Sequence, residues 1–339
     1  MNHPAARYQH RAFWLIGMLL LVSLALLLLG VSVGSTGFES VLNMQRDPQA
    51  MQIIWEIRLP RTAGAWLAGA LLGLAGAVAQ GLFRNPLADP YLLGSASGAA
   101  LGVALAMALF SVSPLATHWV ARIGLTGAAF IGAVAAVLLT LLLAKGVQHT
   151  LRLLLAGVIV GGGLGAFGSL TLLLTPDIMQ AMQAFMLGST AFVGWAACAV
   201  MAVVLALCLL AAWMMSHVLD GLALGEATAQ SLGLKLPQMR AALVAVLALA
   251  TGTAVAQTGL IAFVGLAAPH LVRSVIKTTH GRLIVLASLT GAVLLTAADI
   301  LARGVIAPQE LPVGVLTAVL GGGYLLWLMH RHTGRGAGL

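Results

Sequence analysis

Residues 12–33 form an almost unbroken apolar run, and nine more runs follow at 60–82, 92–110, 119–144, 151–173, 191–214, 239–257, 260–273, 283–303 and 312–330. Each run is closed by charge, proline or a polar cluster. A bilayer core of ~30 Å is crossed by about 20 helical residues rising ~1.5 Å each, and most of the runs supply that length. The pattern predicts an all-α polytopic membrane protein with about ten transmembrane helices, residues 1–339 forming a single membrane domain. The run at 260–273 is short, and the segment 175–190 predicts an additional helix lying at the membrane surface.

Composition agrees with this pattern and narrows the class. A chain that is 60% hydrophobic and 8% charged cannot clothe a soluble domain. Its 40 glycines let helices approach closely, which matters in lipid, where no hydrophobic force draws helices together. The net charge of +8 comes from basic residues scattered between apolar runs. They form no basic stripe, so nucleic acid is excluded as a partner and membrane lipid is expected instead.

Placing the N-terminus inside puts only Arg46, Arg58, Arg61, Arg122 and Arg303 in outer loops, against all the other basic residues in inner ones. This follows the positive-inside rule and predicts cytoplasmic termini at both ends. Acids run the other way, with Glu39, Asp47, Glu56, Asp177, Asp299 and Glu310 outside and Asp89, Asp220 and Glu226 inside. Arg7 and Arg11 ahead of the first run mimic a signal peptide, but the run exceeds the usual ~7–15 residues and reads as a retained span. Cys198 and Cys208 would lie ~15 Å apart on one helix, too far to bridge.

The energy source is the first chemical question. Lys145, Lys235 and Lys277 are the only lysines, and none sits in a G-x-x-x-x-G-K-[ST] phosphate cradle. The chain is therefore no P-loop ATPase, and it carries no catalytic residue of its own. Every Asp and Glu falls near a span end, which argues against an ion-coupled secondary transporter, the alternative from another class. The longest inner loop, 216–238, carries Asp220 and the stretch LGEATAQSLG (224–233). It predicts two short surface helices, read either as a solvated connector or as a docking surface for a partner that hydrolyses ATP.

The motifs RLPR (58–61), QGLFRNPLADPYLLGSASGA (80–99), RLLLAGV (152–158), LGEATAQSLG (224–233), GLIAFVGLAAPHLVR (259–273), ADILAR (298–303) and ELPVGVLTAVLGGGYLLWL (310–328) run in this order through the chain. Together they resemble the permease subunits of binding-protein-dependent ABC importers for iron-siderophores, heme and cobalamin, the FecCD-like type II importers. One departure is Gly322-Gly323, where the family often has a proline before the last aromatic.

The resemblance implies a homodimer in the bacterial inner membrane with one path at its two-fold interface, two ABC ATPase subunits inside and a periplasmic substrate-binding protein outside. It implies no permanently bound cofactor or metal, ATP consumed by the partner, and heme or a similar bulky iron chelate as cargo. A ferric siderophore or cobalamin is the alternative within the family. It assigns Arg58, Arg61 and Arg303 to binding-protein docking, with lipid snorkelling or a local Asp299–Arg303 pair as the plain reading. ATPase coupling falls on Leu224, Gly225, Glu226, Ala227, Gln230 and Gly233. The cytoplasmic gate falls on Gln148, His149, Thr150 and Leu151. Met179, Met182 and Met186 share a helical face that either packs or lines the substrate path. Pro269-His270 reads as a helix break rather than a metal ligand.

Overall fold

The computed structural model describes residues 4–34, 37–38, 48–110, 119–144 and 150–336. Its helices are α1 (Pro4–Ser32), α2 (Pro48–Ile53), α3 (Leu59–Leu82), α4 (Ser95–Phe110), α5 (Trp119–Leu143), α6 (Thr150–Leu174), α7 (Met179–Leu187), α8 (Trp195–Met214), α9 (Ser216–Ala223), α10 (Glu226–Ser231), α11 (Leu236–Thr258), α12 (Val264–Val275), α13 (His280–Gly304) and α14 (Val313–Gly336). A two-residue antiparallel ladder pairs Val33–Gly34 with Gly37–Phe38. Every apolar run predicted from the sequence coincides with a helix, and the segment 175–190 holds the additional helix α7.

Among the described residues, seven helical segments are long and apolar enough to cross a membrane, and Ser95–Phe110 and Val313–Trp327 are apolar but shorter. The run at 260–273 departs most from a plain span. Its helix α12 has 12 residues, ~18 Å of rise, and buries Pro269 within it. At the other extreme, the helix predicted to start at residue 60 runs back continuously to Pro48. A single π turn, Ile54–Arg58, joins α2 to α3.

Glycine decides which helices form the centre. In α3, a Cβ on Gly69 would lie 2.3 Å from the Gly291 carbonyl oxygen, one on Gly73 2.1 Å from that of Ala287, and one on Gly76 1.7 Å from that of Gly265. No side chain fits there, so α3 lies backbone to backbone on α12 and α13. The same small-residue packing joins Gly98 and Gly102 of α4 to Gly132 and Ala128 of α5. Helices α3, α11 and α13 are mostly buried, while α1, α6 and α8 turn most of their apolar surface outward. Such outward surface is what a lipid-bathed rim requires.

Because α3 and α13 pack antiparallel, the start of one meets the end of the other. The bundle therefore has two chemically distinct ends. Val31 near the end of α1, Arg61 at the start of α3 and Asp299 near the end of α13 share the first end. Gln80 near the end of α3, Arg273 of α12 and His280 at the start of α13 share the second.

Candidate functional site

At the first end, Arg61 of RLPR and Arg303 of ADILAR converge on one carboxylate. Arg61 donates from Nη2 to Asp299 Oδ1 at 3.2 Å and from Nε at 3.3 Å. Its Nη1 lies 2.8 Å from Glu310 Oε2. Arg303, one helical turn beyond Asp299, pairs with Asp299 Oδ2. It also donates to the Gly30 carbonyl at 2.9 Å and to Thr62 Oγ1 at 3.2 Å. Thr190 Oγ1 completes the shell of Asp299 at 2.5 Å. Arg58 donates to the Val31 carbonyl at 3.3 Å.

All three arginines are buried, Arg303 at 1% exposure and Asp299 at 0%. This differs from the surface display expected of docking residues. The local Asp299–Arg303 pair weighed from the sequence is present, but as part of a larger network. Two carboxylates balance Arg61 and Arg303, and α1, α3, α13 and the segments around Thr190 and Glu310 are tied together by charge-assisted hydrogen bonds. Only Arg61 and Glu310, with side chains 11% and 28% exposed, reach the rim.

At the second end, the loop 216–238 is folded. Helix α9 ends at Ala223, Gly225 at φ 108° turns the chain, α10 follows, and Gly233 at φ 80° turns it again. Few residues other than glycine hold such angles cheaply. Ala229 on the inner side of α10 is buried, whereas Leu224 and Leu232 are 68% and 63% exposed, and Ala227 and Gln230 are also exposed. Glu226 does not face outward alone. Its Oε1 accepts from Arg240 Nη2 of α11 at 2.5 Å. Asp220 accepts from both the backbone N–H and the ring Nδ1 of His280, at 3.0 and 2.7 Å. The two short helices are thus clamped to the bundle through the carboxylates of Asp220 and Glu226, with an apolar outer edge beside the glycine turns.

The FecCD transport family model matches residues 17–331. The chain belongs to the FecCD transport family. It is 39% identical over 324 residues to the hemin transport system permease protein HmuU of Yersinia pestis, covering 94% of this chain and 95% of that one. It is 33% identical over 338 residues to the vitamin B12 import system permease protein BtuC of Vibrio cholerae, covering 98% and 97%. Among solved structures, an inward-facing metal-chelate type ABC transporter aligns with a TM-score of 0.82 at 28% identity, covering 93% of this chain and 98% of that one. This FecCD chain is thus an all-α, multi-pass membrane permease, a transport protein rather than an enzyme.

The remaining residues singled out in this FecCD permease separate in the structure. Met182 is 3% exposed and packs with Met107 and Val255, while Met179 and Met186 stay half-exposed. The shared methionine face therefore splits, and Met182 belongs to the core. Gln148 and His149 lie outside the described residues. Thr150 opens α6, and Leu151 beside it is 69% exposed. His270 meets the Tyr324 ring edge-on at 5.9 Å, a packing contact between α12 and α14. No group of three or more His, Cys, Asp or Glu able to hold a metal is present among the described residues.

Sequence reasoning passed over Thr190, Arg240 and His280. Their partners come from distant segments, and a single sequence gives no sign of such pairings. Phe263 is another such residue. It opens α12 at φ 69° and fills the space beside Gly321 of α14, where an added Cβ would lie 2.4 Å from the Phe263 Cβ.

Proposed function

We propose that this chain is the membrane permease of a binding-protein-dependent ABC importer, energised by a separate ATPase and moving heme or a similarly bulky iron chelate across the bacterial inner membrane. Two copies, two ATPase subunits and a periplasmic binding protein make the working assembly, with both termini cytoplasmic. One observation carries this reading. Helices α9 and α10 form a stiff element with an apolar outer edge, Leu224 and Leu232, held to the bundle by the Asp220–His280 and Glu226–Arg240 contacts. An exposed edge of this kind on a wet face fits a protein partner. Glu226 and Asp299 are each paired with an arginine and Asp220 accepts from the His280 ring, which leaves them unsuited to relay ions.

The outer charge network supports binding-protein docking in a modified form. Arg61 and Glu310 meet the incoming lobe at the rim. Arg58 and Arg303 act from beneath, holding α1, α3 and α13 in register. The outward-facing surface of α6, where a Cβ on Gly162, Gly163, Gly165 or Gly168 would meet nothing within 4 Å, is where the second copy packs and the path runs. The inner gate is assigned to Thr150 and Leu151 at the start of that helix, together with Gln148 and His149. The 39% identity to a hemin permease supports heme, while the 38% identity to a vitamin B12 permease of Shigella boydii keeps cobalamin, like a siderophore, as the alternative within the family.

The test is ATP hydrolysis by the complex reconstituted in liposomes. Heme-loaded binding protein should accelerate it, and charge reversal at Arg58, Arg61 and Arg303 together should abolish the acceleration. Hydrolysis indifferent to the binding protein in the parental complex would refute the importer reading.

A further inference from the structure

The second end also holds a cavity of about 280 Å³ beside α9, lined in part by Gln80, Arg84, Asn85, Ala223, Arg273 and His280. Its charge is one-sided. Arg273 donates to the neutral Gln80 Oε1. The Arg84 guanidinium has no hydrogen-bond or ion-pair partner among the described residues, and no carboxylate lines the cavity among them. Asp220 is engaged by His280, whose ring Nε2 faces Gly81.

The backbone at Arg84 sharpens the point. Asn85 N–H bonds the Gln80 carbonyl at 3.1 Å and Arg84 N–H bonds the Gly81 carbonyl at 3.3 Å, closing α3 in a Schellman motif. Arg84 occupies its left-handed position at φ 49°, where glycine is the usual residue. Glycine would end the helix with less strain. Arginine there carries a side chain into the mouth of a cavity that already holds a second guanidinium.

We propose that this cavity is an oxyanion socket, filled in the assembled importer by an acidic side chain of the ATPase subunit. This deepens the reading given above and rests on it. Two guanidinium groups around one opening match the planar oxygens of a carboxylate. Ala223, the last residue of α9, forms part of the wall, so the occupant touches the element proposed to receive ATPase motion. A lipid headgroup fits less well. The lining comes from α3, α9, α12, α13 and the turn after α3, and none of it from the outward-turned α1, α6 or α8.

The experiment measures ATPase binding to the permease in nanodiscs as a function of salt, for the parental chain, Arg84→Gly and Arg84→Lys. Arg84→Gly relieves the backbone, so a purely structural arginine predicts no loss. The socket predicts weaker binding by about tenfold or more, with a shallower salt dependence, and substantial retention in Arg84→Lys. Inorganic phosphate at constant ionic strength should compete in the parental chain and not in Arg84→Gly. Parental affinity and salt dependence in Arg84→Gly would overturn the socket while leaving the importer reading intact. Phosphate binding that depends on Arg84 without affecting ATPase affinity would reassign the cavity to a free anion and overturn the proposal as stated. A parental chain that binds no ATPase would overturn both readings.

Discussion

Asp299→Asn should be among the most destabilising single-atom exchanges in this protein. Asp299 is fully buried and accepts from Arg61, Arg303 and Thr190. Neutralising it leaves Arg303 as a buried cation without a carboxylate, and breaking a buried pair in this way costs about 3–5 kcal/mol. Arg61 loses less, because it keeps Glu310 at the rim, where pairs are worth about 0–1 kcal/mol. Arg303→Met is the informative contrast. It leaves Asp299 with Arg61 and Thr190, and forfeits chiefly the hydrogen bonds to Gly30 and Thr62, each worth about 1 kcal/mol. The expected order is Asp299→Asn worst, Arg303→Met milder and Glu310→Gln mildest. The double variant Asp299→Asn/Arg303→Met should recover about 1–2 kcal/mol relative to the sum of its parts, since no orphaned guanidinium remains. Denaturant-titrated unfolding in lipid nanodiscs measures all four. An Asp299→Asn variant within about 0.5 kcal/mol of the parent, or strictly additive effects, would refute the view that this network holds its end of the bundle together.

Other positions give sharper yes-or-no outcomes. Gly76→Val should prevent folding, because its Cβ would lie 1.7 Å from the Gly265 carbonyl, whereas Gly17→Val should be tolerated in open space; size-exclusion profiles of the two separate the cases. Gln230→Pro should stop uptake while leaving assembly intact, since its ring would clash with the Glu226 carbonyl one turn back in α10. Proline at Thr228 should be milder, because the first intrahelical bond of α10 runs from Ala229 N–H to the Gly225 carbonyl and no bond from Thr228 is lost. Cysteines placed at His149 or Thr150, with Cys198 and Cys208 replaced, should crosslink across the dimer in one nucleotide state and part in another. Crosslinking that ignores nucleotide would remove those positions from the gate.

Fold class and the places of the apolar helices were legible in the chain because apolar runs in lipid are long and their boundaries are marked by charge. The two short helices at 216–231 were legible for a related reason, since glycines at 225 and 233 interrupt stretches that otherwise form helix. Side-chain partnership was much less visible. Arg61 and Asp299 stand far apart in sequence, and nothing in RLPR says whether its arginines face water or an internal carboxylate. The methionine face was legible only in part. Spacing puts Met179, Met182 and Met186 on one side of α7, but α7 meets α4 and α11 around Met182 alone, leaving the two ends half-exposed. Arg84 lay in a motif noted from the start, yet its left-handed backbone and empty guanidinium appear only when α3 ends against α9 and α13.

The central claim is that this permease moves its cargo by mechanical contact with an ATPase. Its most direct test is heme accumulation in proteoliposomes that contain the permease, its ATPase and a heme-binding protein, with ATP and ion gradients varied separately. The account predicts uptake that requires ATP, persists when protonophores and sodium ionophores collapse every gradient, and disappears in Gln230→Pro. Uptake that proceeds without ATP and collapses with an ion gradient would contradict it.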